Sequence, residues 1–340
     1  MRTIVATIAA TLLPLAALTA FPVQAQSYPE RTIKMIVPYS PGTGIDILAR
    51  TVGQRLTARM GQPVVVENQA GASGTIATVR AAQSKPDGYT LLMMVSGHVI
   101  NPHVYKGSVH YDPIKDFTPI TLTAWGRLLL VVHPGTQITS VAAFIERAKA
   151  QPGKLTYGTP GPGTPHHLAM ELLRGVTGID LLHVPYSGTA GALTGMLSGT
   201  VDSMFLPIHV AMPHVRSGKL TVLGLGSAHR SATTPAIPTL AEQGVPGAEV
   251  DMFYGLLAPA GLPRDIAQYL NSAVVQALKD PEMRSTLEKQ GLEPETSTPE
   301  AFQALMQRES EKWGKVVERA KIKADSGAPS SVRIAALLAR

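Results

Sequence analysis

From Thr32 onward, short β-branched or apolar runs alternate with glycine-rich turns and with segments whose apolar residues recur every three or four positions. That alternation predicts βα units around largely parallel sheets. Ile33–Val37 reads as a strand, and Leu48, Val52, Leu56 and Met60 then share one helical face at i, i+4 spacing. Residues 63–66 give a second strand, 75–82 a second helix and 89–95 a third, buried strand. A second series places strands near 128–132, 155–157, 181–184, 201–205 and 220–225, separated by helical or turn-rich sequence, as a second doubly wound sheet requires. An apolar run ending at Ala258 leads into a helix over 264–278. A last long helix has Thr298 as N-cap, Pro299 at its first position, and Phe302, Met306, Trp313 and Val317 along one face.

The first 25 residues break this pattern. Arg2 precedes an uncharged apolar stretch over 4–21, and Val23, Gln24 and Ala25 close it in small-x-small form. This predicts a secretory signal peptide over 1–25, and with it a periplasmic location. At the other end, 324–340 reads as a flexible tail after the small-residue linker ADSGAPSS. The chain of 340 residues is 44% hydrophobic and 16% charged, which excludes a disordered chain and favours two packed domains. A net charge of +6 without a long basic run, and 5% aromatic residues, argue against a nucleic-acid partner. The absence of cysteine excludes disulfides, Cys-ligated zinc and thiol nucleophiles.

Two loops each follow a predicted strand and open a predicted helix. The first runs Tyr39, Ser40, Pro41, Gly42, Thr43, Gly44, Ile45, Asp46, and the second runs from Thr159 through Gly161, Gly163 and Thr164 to His166 and His167. Their glycines permit tight turns and close approach, and unpaired amides at a helix start favour an anion such as a carboxylate. Each loop alone is also compatible with ordinary turn chemistry. Neither is a nucleotide signature, because Ile47 stands where a dinucleotide loop needs its third glycine and no phosphate-loop string occurs. Asp46 suits a helix cap, or an indirect role in ordering loop amides around a ligand.

Catalytic signals are sparse. His166, His167 and Glu171 could place two metal ligands on one helical face, but no third is indicated, so no metal or other cofactor is expected. No G-x-S-x-G elbow and no H-E-x-x-H helix occurs, so no catalytic residue is assigned.

Seven strings in order, VPYSPGTGIDILAR (37–50), VVVENQAGASG (64–74), PDGYTLL (86–92), YDPIKDFTPI (111–120), HVPYSG (183–188), IPTLAEQG (237–244) and TPEAF (298–302), resemble the substrate-binding proteins of tripartite tricarboxylate transporters, the Bug receptors. The resemblance covers 28–323. It implies an α/β type II periplasmic-binding-protein fold, with two doubly wound domains flanking a ligand cleft: domain I from 26–125 plus 253–323, and domain II from 126–252. It also implies that a ligand carboxylate lies between the two loops, at Tyr39, Ser40, Gly42, Thr43, Gly44, Ile45 and Asp46 on one side and Thr159, Gly161, Gly163, Thr164 and His167 on the other. Leu206 stands where the family commonly has an acidic residue, which disfavours an amino-acid ligand and favours a less polar carboxylate.

The expected function is therefore binding of a small organic carboxylate by a monomeric receptor that hands it to membrane transporter subunits. An orphan sensor of the same fold and a secreted α/β hydrolase are the rival readings, and a positioned Ser, His and Asp would mark the hydrolase.

Overall fold

The computed structural model describes residues 28–319 and residue 322; the expected leader at 1–25 and tail at 324–340 lie outside them. In chain order the first elements are β1 (Ile33–Val37), α1 (Gly44–Met60), β2 (Val64–Asn68), α2 (Thr75–Ala82), β3 (Thr90–Val95), α3 (Gly97–Val104) and β4 (Phe117–Val132). The middle of the chain contributes α4 (Val141–Ala150), β5 (Thr156–Thr159), α5 (Pro165–Thr177), β6 (Leu182–Pro185), α6 (Thr189–Leu197), β7 (Ser203–Pro207), α7 (Ile208–Arg216) and β8 (Thr221–Leu225). It closes with β9 (Asp251–Pro259), α8 (Arg264–Leu278), α9 (Pro281–Lys289), β10 (Leu292–Pro294) and α10 (Pro299–Arg319).

The strands join in the order β2-β1-β3-β9-β4-β7-β5-β6, with β8 and β10 also paired to β4. Sixteen-residue β4 serves two zones. Its first part runs antiparallel to β9 and β10, and its last part, from Leu128 to Val132, antiparallel to β7 and β8. The outer pairs β1–β2, β1–β3, β5–β6 and β5–β7 are parallel. The largely parallel sheets expected from the alternation are thus mixed: parallel βα units flank a centre in which β4 and β9 run against their neighbours.

The sequence shows only the last five residues of β4 because 117–127 carries Pro119, Gly126, Arg127 and three threonines. Pro119 is tolerated where the β4–β9 register slips between Pro119 and Thr121, which matches the confinement of proline to irregular ladder positions. Burial of both faces removes the alternation that would have betrayed the strand: Ile120, Thr121, Leu122, Thr123 and Ala124 are all buried.

Helices begin where local chemistry permits. Thr164, Ser140 and Asp280 accept first-turn amides with their side chains, and Pro165 and Pro281 occupy first helical positions. One large core gathers around β1, β3, β4 and β9 with α1, α8 and α10, and a smaller one forms from Leu129, Val131, Met204, Leu206 and Leu225 with α6 and α7. The larger core closes tightly at Gly255, where a Cβ would run into the Phe302 ring.

Candidate functional site

After β1 the chain turns through 39–43 into α1. Thr43 at the N-cap donates its hydroxyl to the Ser40 carbonyl (2.8 Å) and leaves the helix amides uncapped. Among the described residues, no acceptor takes the amides of Gly44, Ile45 or Asp46, three buried groups at the positive end of a seventeen-residue helix. Asp46 orders the turn from within. Its carboxylate accepts from the Gly42 amide (2.9 Å), Arg50 Nε (3.1 Å) and Asn68 Nδ2 (2.9 Å), and Asn68 also donates to the Tyr39 carbonyl. Burial alone would raise the Asp46 pKa, but the Gly42 amide, Arg50 and Asn68 together hold it below the ordinary carboxylate value.

The second loop is built differently. Gly161 N–H donates to Thr159 Oγ1 (3.2 Å), Gly163 N–H to His167 Nδ1 (3.2 Å) and His167 N–H to Thr164 Oγ1 (3.4 Å), while the Thr164 hydroxyl donates to the Gly161 carbonyl (2.8 Å). Its amides are therefore largely engaged within the loop, unlike the freely presented amides expected from the glycine pattern. His167 is fixed in a ring stack with Tyr157 and His183, at 4.3 Å from the latter, and burial followed by the Arg174 charge pushes its pKa down to about 4. The 3.9 Å approach of its Nε2 to Glu171 is accordingly a contact of a neutral ring. Glu171 takes the Tyr157 hydroxyl and Arg174 instead.

The remaining expected site residues divide by exposure. Ser40 and Gly42 lie on the exposed side of the first turn, Tyr39 donates its hydroxyl to the Ser73 carbonyl (3.2 Å), and Leu206 is fully buried in the smaller core. Among the described residues, no group of three or more His, Asp or Glu could hold a metal ion.

Side chains that sequence reasoning did not assign to the site meet at the two loops. The Tyr105 hydroxyl donates to the Pro162 carbonyl (2.7 Å) and accepts from Ser73 Oγ (2.7 Å), joining α3 to the loop before α5. His209, in the first turn of α7, lies against Gly44: a Cβ there would sit 2.9 Å from its Cε1 and 3.5 Å from the Tyr254 hydroxyl. His166, in the first turn of α5, is 9% exposed, and neither ring nitrogen has a partner among the described residues. Burial, then the proximity of His209, lowers its pKa to about 4, and burial does the same to His209. Only the adjacency of His166 and His167 was visible in the chain; nothing in sequence marks residues 166 and 209 as neighbours. A small cavity bordered by Tyr39, Ser73, Thr78, Met94, His98 and Asn101 adjoins the first loop.

Comparison with known proteins agrees with this architecture. The model of the tripartite tricarboxylate transporter family receptor matches residues 48–322. Protein BugT of Bordetella pertussis is 34% identical over 299 residues, covering 88% of this chain and 92% of its own. A Rhodopseudomonas palustris protein solved with adipate superposes with a TM-score of 0.82 at 33% identity, covering 86% of this chain and 98% of its own. MatC from the same organism, solved with bound malate, gives 0.78 at 32% identity over 85% of this chain and 100% of its own. With the family model spanning most of its length and a mixed α/β architecture like that of these binding proteins, the chain belongs to the tripartite tricarboxylate transporter receptor family.

Proposed function

We propose that this receptor is exported, closes on a small organic carboxylate between two domains, and presents the loaded form to membrane transporter subunits. The observation that carries the reading is the start of α1: three buried amides with no acceptor among the described residues, at a positive helix end whose first residue packs against His209. A carboxylate there would gain charge-assisted hydrogen bonds and a favourable dipole without any cationic side chain. The adipate and malate held by two relatives are ligands of that class.

The domain division that suits this function is 26–125 with 253–323, against 126–252. Support comes from the two pairing zones of β4, from the return of the chain after Val250 into β9, which pairs with the first zone alone, and from the packing of α8 on α1 and β4. The sequence pattern of 1–25 supports cleavage after Ala25 and a periplasmic location. Among the described residues no helix is long and apolar enough to cross a membrane.

The test is a thermal-shift and calorimetric screen of mono-, di- and hydroxycarboxylates on the protein lacking residues 1–25. A ligand at 100 times its Kd adds about 2.7 kcal/mol of stability. A screen in which no carboxylate raises the melting temperature rejects the reading.

A further inference from the structure

A neutral imidazole offers one N–H donor and one acceptor nitrogen, and native proteins rarely bury such groups unpaired. Among the described residues, His166 does so with both nitrogens. It occupies the second helical position of α5, after the Thr164 cap and Pro165, so the helix fixes where its ring can go. The ionisable group that acts on it is His209, whose own ring is packed on Gly44 beside the Tyr254 hydroxyl. The pair therefore adjoins the place where the unpaired α1 amides begin.

Resting on the carboxylate-receptor reading, we propose that His166 and His209 form a recognition subsite for a hydroxyl group, so that the preferred ligand is a hydroxycarboxylate whose carboxylate lies on the α1 amides. A hydroxyl both donates and accepts, which matches a neutral imidazole pair. A second carboxylate can only accept, and would draw a proton onto a ring that its surroundings keep neutral. An apolar extension would leave the His166 nitrogens unpaired in the loaded state as well. A ligand hydroxyl would thus supply the partner that neither His166 nitrogen finds among the described residues.

The experiment pairs each hydroxycarboxylate with its deoxy analogue, malate with succinate and lactate with propionate, in titration calorimetry of the wild type, His166→Leu, His209→Leu and His166→Gln. The hydroxylated member of at least one pair is expected to bind about tenfold tighter, the scale set by one unmade buried hydrogen bond. Either leucine variant should erase that preference, and His166→Gln, which keeps a donor and an acceptor, should retain part of it. Without ligand, His166→Leu should melt higher than the wild type by about 2 °C or more, because the unpaired nitrogens are gone. A preference that is absent, or that survives both leucine variants, overturns the proposal. So do binding heats that vary with the ionisation enthalpy of the buffer, since proton uptake means that a carboxylate faces the pair. If no probe binds to the wild type, the carboxylate reading fails, and the ligand-free melting comparison still decides on the imidazoles: a lower melting temperature in His166→Leu shows that the ring is already partnered, and a higher one that it awaits a ligand.

Discussion

The hydroxyl of Tyr105, at the end of α3, donates to the carbonyl of Pro162 at 2.7 Å while Ser73 donates to it in turn. One side chain thereby ties the loop that opens α5 to the elements around the start of α1. Removing the hydroxyl leaves a carbonyl to be resolvated and one neutral hydrogen bond fewer in the assembled cleft. Such a bond contributes about 0.5–1.5 kcal/mol, so Tyr105→Phe should weaken ligand affinity roughly 2- to 12-fold with little change in fold. Titration calorimetry measures it, and an unchanged Kd would show that the loaded receptor does not use this tie.

Gly163 combines two constraints on the same loop. Its φ of +75° lies in the left-handed region, and a Cβ there would stand 3.0–3.2 Å from three atoms of the Val104 side chain. Gly163→Ala should therefore cost about 1 kcal/mol or more in stability and lower ligand affinity by displacing the loop from α3. Adding Val104→Ala helps to separate the causes, because it removes the two Cγ atoms, the nearer at 3.0 Å, while the Cβ contact and the backbone strain stay. Partial recovery of affinity in the double variant is the expected result. Full recovery would mean that only the contact mattered, and no loss in the single variant would remove Gly163 from the site.

What could be read from the chain follows a physical line between local and distant information. The positions of α2 and α8 and the start of α10 were legible because proline, threonine and i, i+4 apolar spacing act within a turn or two. α3 was not, since Pro102 lies inside it and its face is too short to show a period. Nor was the full length of β4, whose burial on both faces erases alternation and whose partners β7 and β9 lie far along the chain. The site divides the same way. Asp46 beside its own turn was foreseeable, whereas the meeting of His209 with Gly44 is created by tertiary packing alone.

Asp46 makes a pH-specific prediction. Its carboxyl is held below the ordinary value, so the native state binds the proton less readily than the unfolded chain. The associated stability is complete above the unfolded pKa of about 3.9 and disappears as the pH falls through the folded value. Asp46→Asn keeps the shape but loses the charge facing Gly42 and Arg50. It should destabilise the protein at pH 7 by about 1 kcal/mol or more, the scale of a charge-assisted hydrogen bond, and the gap to the wild type should shrink below pH 4. Urea denaturation at both pH values tests this, and a gap independent of pH would assign the effect to packing. Ligand binding should also weaken, through disorder of the turn that feeds α1.

Buried histidines set a second, separate acid window. His98, His166, His167 and His209 each have a pKa near 4, with burial the leading cause in all four. An unfolded histidine titrates near 6.5, so between about pH 6.5 and 4 the unfolded chain holds protons that the native state refuses. Stability from these groups is intact above that window and is lost as the pH falls through it, with a slope of up to about 1.4 kcal/mol per pH unit for each ring. Carboxylates such as Asp46 contribute mainly below about pH 5, so the histidine slope is read most cleanly between pH 6.5 and 5. His98 differs from His166 in having one partner, the Pro113 carbonyl at 2.9 Å from Nε2. His98→Gln and His166→Leu should each flatten the dependence of unfolding free energy on pH between 6.5 and 4.5 by about one proton's worth. His166→Leu alone should raise the ligand-free stability at pH 8, where neither wild-type ring is charged. A wild-type curve that is flat from pH 7 to 5 would mean that these imidazoles reach solvent in the native state, and would remove the basis for treating His166 as neutral and unpaired.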